Sequence, residues 1–265
     1  MSAHMALSTL IINADDFGMS STVNRAIVSS MEAGLVTSTS IMANMPGFED
    51  AIELLRQHPS VRGRVGIHLN LTEGHPLSRP ILDSPLFCDE AGTFLYHRER
   101  PLFHLGRKDQ EAVYEELKAQ LEKVLAAGIQ PIHLDSHHHI HTEWAVAPLM
   151  RRLARAYGIP RIRLTRNMGR QPAYPKRVYK TIFNRWRLSH DASLSTTDYF
   201  GDIGDMLYFS RRQWPAGKTI EIMVHPLFDE SGGLVDINRN DLQRQLEPIL
   251  RQPVNLSPKP TDLHQ

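Results

Sequence analysis

Short apolar runs alternate along this chain with longer segments whose apolar residues recur every three or four positions. The runs predict six buried strands, at residues 9–14, 36–43, 64–71, 132–141, 161–166 and 219–226. The intervening segments predict helices, at residues 22–33, 48–57, 110–127, 143–157, 173–189 and 240–250. In the clearest of them, 110–127, Asp109 is the expected cap and Gly128 the expected end.

The repeated order of strand, helix, glycine and strand is typical of a parallel α/β architecture. Six strands fall short of the eight in a regular barrel. The pattern therefore predicts an irregular, TIM-barrel-like (β/α) barrel with fewer than eight regular strands, and a doubly wound open sheet is the alternative. No linker divides the chain, so residues 1–265 are expected to form one domain with peripheral tails at 1–7 and 251–265. The long irregular stretch 72–108 is expected to be functional or a small subdomain.

Composition and charge describe an ordinary globular protein, with 41% hydrophobic residues, 22% charged residues and a net charge of +1. Such a balance offers no global field for nucleic acid or for a membrane surface. A single cysteine, Cys88, excludes an intrachain disulfide framework, and the expected location is the cytoplasm. One local exception is the segment 161–187, which holds nine Lys or Arg residues. It is either a solvated loop or a clamp for an anionic substrate.

Five of the nine residues in the segment 133–141 are histidines. If the strand continues through this segment, its side chains alternate between two faces. One face would then carry His133, Asp135, His137, His139 and His141. A buried polar row of this kind requires hydrogen-bond partners or a metal ion, whereas a solvated edge strand would require neither.

Polar side chains also follow the other predicted strands, where the active sites of α/β barrels are built. These residues are Asp15, Asp16, Asn44, His68, Asn70, Arg166 and His225. One carboxylate and two imidazoles suit zinc, cobalt, nickel or manganese, and non-haem iron enzymes use the same set. Adjacent aspartates on a strand point to opposite faces, so one is free to bind a metal and the other to act as a base. The pair is otherwise explained as turn residues before Gly18.

Several segments together resemble the YdjC-like carbohydrate deacetylases, the chitooligosaccharide deacetylase group. They are Asn13-Ala14-Asp15-Asp16-Phe17-Gly18, Thr37-Ser38-Thr39, Gly66-Ile67-His68, the histidine-rich segment 133–141 and His225-Pro226. The resemblance implies an irregular (β/α) barrel that removes N-acetyl groups from small acetylated sugars with a divalent metal ion: magnesium, zinc, cobalt or manganese. An acetylated saccharide is the expected partner, and a homodimer is left open.

The resemblance also implies roles for individual residues. Asp16, His68 and His137 would be the metal ligands, Asp15 the base and His225 the acid. Residues around them would support the metal site or contact substrate, namely Asp135, His139, Arg163 and Arg166. Two rival functions remain: an amidohydrolase-type metal hydrolase, because His137-His138-His139 contains a His-x-His motif, and a metal-dependent sugar-binding protein without turnover.

Overall fold

The computed structural model describes residues 7–96, 102–168, 174–189, 193–210, 216–237 and 241–257. The strands within these ranges are β1 (Ser8–Phe17), β2 (Ser38–Ile41), β3 (Val65–Leu69), β4 (Leu134–Ser136), β5 (Tyr199–Asp202), β6 (Thr219–Val224), β7 (Pro226–Phe228), β8 (Leu234–Asp236) and β9 (Val254–Leu256). The helices are α1 (Ser21–Glu32), α2 (Phe48–Gln57), α3 (Pro59–Arg62), α4 (Arg107–Ala126), α5 (Ala147–Ala156), α6 (Tyr174–Phe183), α7 (Ile203–Ser210) and α8 (Leu242–Leu250).

The main sheet is parallel and has the strand order β4-β3-β2-β1-β6-β5, with β9 also paired to β1. It curls into a half-barrel, which confirms the predicted irregular barrel and not the doubly wound sheet. The long strand β1 is buried along nearly its whole length, because it has neighbours on both sides and helices against it. No helix in the described ranges has the length and apolar character needed to cross a membrane.

The segment 161–168 lies across the gap between β4 and β5. Leu134 N donates to Arg161 O, and Arg163 N donates to Leu134 O, so one end of the segment is attached to β4. At the other end, Asn167 N donates to Phe200 O of β5. The predicted strand at 161–166 therefore occupies a strand's position, but it forms only isolated bridges at Arg161 and Ile162.

The extended strand predicted through the histidine-rich segment is wrong. Strand β4 ends at Ser136, and residues 137–142 form a 3₁₀ turn in which His138 and His139 have φ of 48° and 55°. Ser136 Oγ accepts a hydrogen bond from His141 N at 2.9 Å and lies 2.6 Å from His141 Nδ1. These local bonds compete with a continued strand, so His137, His139 and His141 do not share one face.

Two further predictions about element boundaries are corrected by the structure. Helix α4 begins at Arg107 with Gly106 as its cap, and Asp109 instead accepts a hydrogen bond from Ser84 Oγ. The tail predicted to be peripheral from residue 251 contains β9, which pairs in parallel with the start of β1. The tail's alternating Val-Asn-Leu gave only a three-residue signal, too short to predict a strand from periodicity.

Three of the four aromatic residues described in the stretch 72–108 are buried in the core, whereas the fourth, Phe103, is 63% exposed. Phe87, Phe94 and Tyr96 are buried, and the rings of Phe87 and Tyr96 lie 5.3 Å apart. Helix α4 anchors this stretch, because the buried carboxylate of Glu116 accepts hydrogen bonds from the backbone of Leu77 and Ser78. The described part of the loop is thus a packed subdomain.

The buried ring of His133 leaves no room for a side chain at Gly66 of β3. A Cβ at residue 66 would lie 2.2 Å from Cε1 of that ring, far inside van der Waals contact. We expect Gly66→Ala to lower the free energy of unfolding by about 1–3 kcal/mol because the interior is overpacked. Urea denaturation measures the loss, and adding His133→Ala should recover part of it. An unchanged midpoint in Gly66→Ala would contradict the tight contact.

Candidate active site

A β-bulge in β1 brings both neighbouring aspartates toward the same histidine. The β1–β2 register passes from Ala14↔Thr39 to Phe17↔Ile41, so Asp15 and Asp16 together face Ser40. Asp16 has φ of 71°, a left-handed conformation that is costly for a residue with a side chain. The bulge breaks the alternation of a regular strand, and the two carboxylates no longer point to opposite faces.

Asp16, His68 and His137 form a compact group with one ligand atom each. Asp16 Oδ1 lies 3.2 Å from His68 Nε2 and 2.9 Å from His137 Nδ1. The three ligand atoms are all within 4.8 Å of one another. His68 and His137 are buried, whereas the Asp16 side chain keeps 16% of its exposure. These are the three residues predicted as metal ligands, and the barrel brings them together from β1, β3 and the end of β4.

The protonation of this group is set by mutual attraction. Burial by itself would raise the pKa of Asp16, but hydrogen bonds to His137 and His68 outweigh it and hold that pKa well below its usual range. Burial opposes a charge on His68, yet the neighbouring Asp135 carboxylate raises the pKa of His68 to about 10. A histidine binds a metal through an unprotonated nitrogen, so an ion would compete with this proton.

The other nitrogen of each histidine contacts a further carboxylate. His68 Nδ1 lies 2.7 Å from Asp135 Oδ1, and His137 Nε2 lies 3.0 Å from Glu73 Oε2. Carboxylates in these positions fix the orientation and tautomer of metal-binding imidazoles. The predicted supporting role of Asp135 fits this contact, whereas the sequence did not single out Glu73.

Glu73 is held by a turn built from two amide side chains at the ends of β2 and β3. Asn70 Oδ1 accepts from Thr72 N and Glu73 N, while Asn70 Nδ2 donates to Glu73 O. Asn44 Nδ2 donates to the same carbonyl and to His75 O. The turn places a half-exposed carboxylate, 48% of it accessible, against His137.

Arg163 joins three carboxylates in the interior of the barrel. Its guanidinium forms two hydrogen bonds of 2.7 Å to Asp15, another 2.7 Å contact with Asp135, and one of 2.6 Å with Glu221. The Phe200 ring lies beneath it, 4.8 Å from Cζ. Burial disfavours the charge, but Asp135, Asp15 and Glu221 raise the pKa of Arg163 well above its normal value. Arg163 therefore contacts protein carboxylates and is too buried to reach a substrate.

The remaining predicted residues lie outside the metal-type group. His139 packs edge-on against Phe200 and belongs to none of the candidate metal clusters among the described residues. Arg166 binds Asp202 and Asp205. His225 is half-buried and lines a small cavity of about 80 Å³ together with Arg166. The acid role of His225 stays a prediction.

Three site residues were missed in the sequence, and their signals differ in strength. Glu221 is a lone carboxylate inside the apolar strand β6, a pattern that indicates a buried ion pair. Ser40 Oγ, from the polar run of β2, donates to Asp135 and lies 3.2 Å from His68 Nδ1. Glu73 follows the end of β3 in an ordinary turn sequence, and no local pattern identifies it.

Comparison with known proteins assigns this arrangement to a family. The family described as YdjC-like protein matches residues 9–252, which cover the half-barrel and every predicted site residue. The chain belongs to the YdjC-like family.

Curated relatives carry the name carbohydrate deacetylase. The proteins from Brevibacillus brevis and Halalkalibacterium halodurans are 38% and 34% identical to this chain, over 83% of it and 81% and 85% of their own lengths. A relative from Vibrio parahaemolyticus is 32% identical over 92% of the chain and 88% of its own length. A crystal structure from Enterococcus faecalis superposes with a TM-score of 0.70 at 25% identity, covering 95% of this chain and 97% of that one. Its protein is provisionally described as a cellobiose-phosphate cleavage protein.

Removing the charge of Arg163 should destabilise the whole barrel. Arg163→Gln leaves three carboxylates buried without their cation, so we expect a loss of about 3–5 kcal/mol in the free energy of unfolding. Arg163→Lys keeps the positive charge but not the forked geometry of the guanidinium, so its free energy of unfolding should fall by less than that of Arg163→Gln. Urea denaturation measures both, with Arg56→Gln as control, because Arg56 forms only an exposed pair with Glu53. Equal stability of Arg163→Gln and the control would contradict a structural role for the network.

Proposed function

We propose that this chain is a divalent-metal-dependent carbohydrate N-deacetylase. The observation that carries the proposal is the Asp16–His68–His137 group, in which one carboxylate and two imidazoles come within bonding reach of one ion. The relatives named carbohydrate deacetylase support the same reaction class. Small acetylated sugars such as chitooligosaccharides are the proposed substrates.

The donor set fits a divalent ion that keeps positions open for water and substrate. Two imidazoles and one carboxylate suit zinc, cobalt or manganese, while magnesium prefers oxygen ligands and fits this set less well. When bound, such an ion acidifies water and polarises a carbonyl oxygen. Asp135 and Glu73 would hold the two histidines with the correct nitrogen toward the ion.

Asp15 is the proposed base and His225 the proposed acid. Hydrolysis of an acetamido group requires removal of a proton from water and delivery of one to the leaving amine. Asp15 lies in a cluster with His68 and Asp135, with ligand atoms within 4.8 Å, so its carboxylate is adjacent to the metal-type group. Arg163 fixes its orientation through both oxygens. His225 would act from the end of β6, which lies on the side of β1 opposite β2, β3 and β4.

Two rival functions are less well supported by the same geometry. An amidohydrolase-type site would use both ends of the His-x-His motif, but His139 is turned toward Phe200 while His137 contacts Asp16. A sugar-binding protein without turnover would need the ligands but no base, so it would not explain why Asp15 is placed beside His68. Cytoplasmic location and a homodimer stay predictions from the sequence.

Acetate release from N,N′-diacetylchitobiose, with and without a chelator, tests the proposed activity. We expect release that stops with the chelator and returns when a divalent ion is added. Binding of the sugar without acetate release would favour the binding protein. Turnover that is unaffected by thorough chelation would overturn metal dependence.

Substitution of the two adjacent aspartates should have different effects on metal content and on kcat. Asp15→Asn removes the base, so metal should stay while kcat falls by about 10²–10⁴-fold. Asp16→Asn removes a ligand, so metal content should fall and added metal should restore part of the rate. Metal analysis beside initial rates distinguishes them, and the thermal midpoint controls for the lost Asp15–Arg163 contact. Loss of metal in Asp15→Asn with retention in Asp16→Asn would reverse the two assignments.

Glu73 should affect metal affinity through His137. Glu73→Ala removes the carboxylate opposite His137 Nε2, and losses of about 10–100-fold in metal affinity are usual for such outer partners. Competition with a chelator of known affinity measures the change. Glu90→Ala removes an exposed carboxylate from the same loop and should have no effect. Equal metal affinities in Glu73→Ala and Glu90→Ala would show that Glu73 does not orient His137 for metal binding.

A further inference from the structure

A cavity of about 840 Å³ lies beside the segment 164–168, and Arg166 lines both this cavity and the small one that contains His225. Its walls are the segment 164–168, the face of α6 with the turn that follows it, and residues 196–198. The volume falls within the range of small-molecule sites. None of the three metal-type residues lines it, so the cavity needs an explanation of its own.

Positive charge dominates the lining of this cavity. Among the described residues, its walls carry five cationic side chains against two acidic ones, and the cations are Arg166, Lys176, Arg177, Lys180 and Arg185. The acidic residues are already engaged, because Asp205 pairs with Arg166 and Asp198 pairs with Lys218. In the described part of the chain, Lys176 and Arg185 form no ion pair.

The surroundings of Lys180 show the excess of positive charge in the cavity wall most directly. It is half-buried, and its ammonium donates a hydrogen bond of 2.7 Å to the carbonyl oxygen of Arg166. Burial lowers the pKa of Lys180, and the charges of Lys176 and Arg166 lower it further. A concave wall that gathers like charges concentrates their field and attracts a counter-ion.

Neutral hydrogen-bonding groups complete the lining. Thr181, Ser189, Thr196 and Asn184 also line the cavity. The Thr181 hydroxyl donates to Arg177 O, and the Ser189 and Thr196 hydroxyls lie 3.3 Å apart, so a bound anion would compete with these bonds. A phosphate group carries between one and two negative charges at neutral pH and several acceptor oxygens, which matches cations mixed with hydroxyl and amide donors. The basic segment 161–187 thus contributes a concave cationic wall, which a uniformly solvated loop would not form.

We propose that this cavity binds a small phosphate-bearing anion, held chiefly by Lys180, Lys176 and Arg185. The site is separate from the metal-type group, and its occupancy does not depend on deacetylation. The phosphate is either free or carried on a sugar, and both present the same group to the lysines and the arginine.

Calorimetric titration at constant ionic strength tests the site with inorganic phosphate, glucose 6-phosphate and glucose. Lys180→Gln should weaken binding of both phosphates by about 10–100-fold, the effect of losing one hydrogen bond to a charged group. The double variant Lys176→Gln/Arg185→Gln removes two exposed cations and should weaken binding at least as much with the fold intact. Lys118→Gln on α4 changes the net charge by the same amount outside the cavity and should bind like the wild type.

The affinities for the two phosphates, compared between the wild type and the variants, decide whether the site exists and which form of phosphate it binds. Glucose 6-phosphate binding more tightly than inorganic phosphate, with both losing affinity in Lys180→Gln, assigns a sugar-borne phosphate. Equal affinities with the same loss assign free phosphate. No phosphate binding above a chloride control overturns the proposal, and so does an equal loss in Lys180→Gln and Lys118→Gln. A separate assay that found no deacetylation would overturn the proposed function and leave this binding result unaffected.

Discussion

The contact of one buried guanidinium with three carboxylates constrains the centre of this barrel. Arg163 reaches Asp15 of β1, Asp135 of β4 and Glu221 of β6, so it links strands on both sides of β1. Three carboxylates exceed one cation, and the raised pKa of His68, to about 10, shows where further positive charge is favoured. Buried ion pairs contribute little net stability compared with apolar packing, so the network is better explained by the geometry it fixes than by the energy it adds.

That geometry is maintained at the cost of a strained backbone. Asp16, His138 and His139 all adopt positive φ without being glycine, and all three lie in or beside the candidate site. Such conformations cost of order 1–3 kcal/mol each and persist only where the surroundings over-determine them. Here the surroundings are the Arg163 network on one side and the Ser136–His141 bonds on the other. The left-handed turn after β4 is what aims His137, and not its neighbours, at Asp16.

The sequence predicted the barrel and the composition of the site better than the path of the chain through it. Polar residues that follow buried strands indicated which strand ends form the site, because the strand ends of a parallel sheet meet at one edge. The choice of Asp16, His68 and His137 among them came from the resemblance to the YdjC-like family. The histidine-rich segment was predicted in the wrong conformation because strand alternation assumes a regular backbone, which Ser136 interrupts. Glu73 could not be predicted, since its position depends on amides 3 and 29 residues away, Asn70 and Asn44.

The irregular segment 161–168 contributes residues both to the candidate active site and to the cationic cavity. It directs Arg163 into the interior and Arg166 to the surface within three residues. Along an extended chain those two side chains also fall on opposite faces, as the two-residue period requires. The inner arginine is neutralised by carboxylates, whereas the outer one shares its wall with Lys176 and Arg185, which form no ion pair within the described residues.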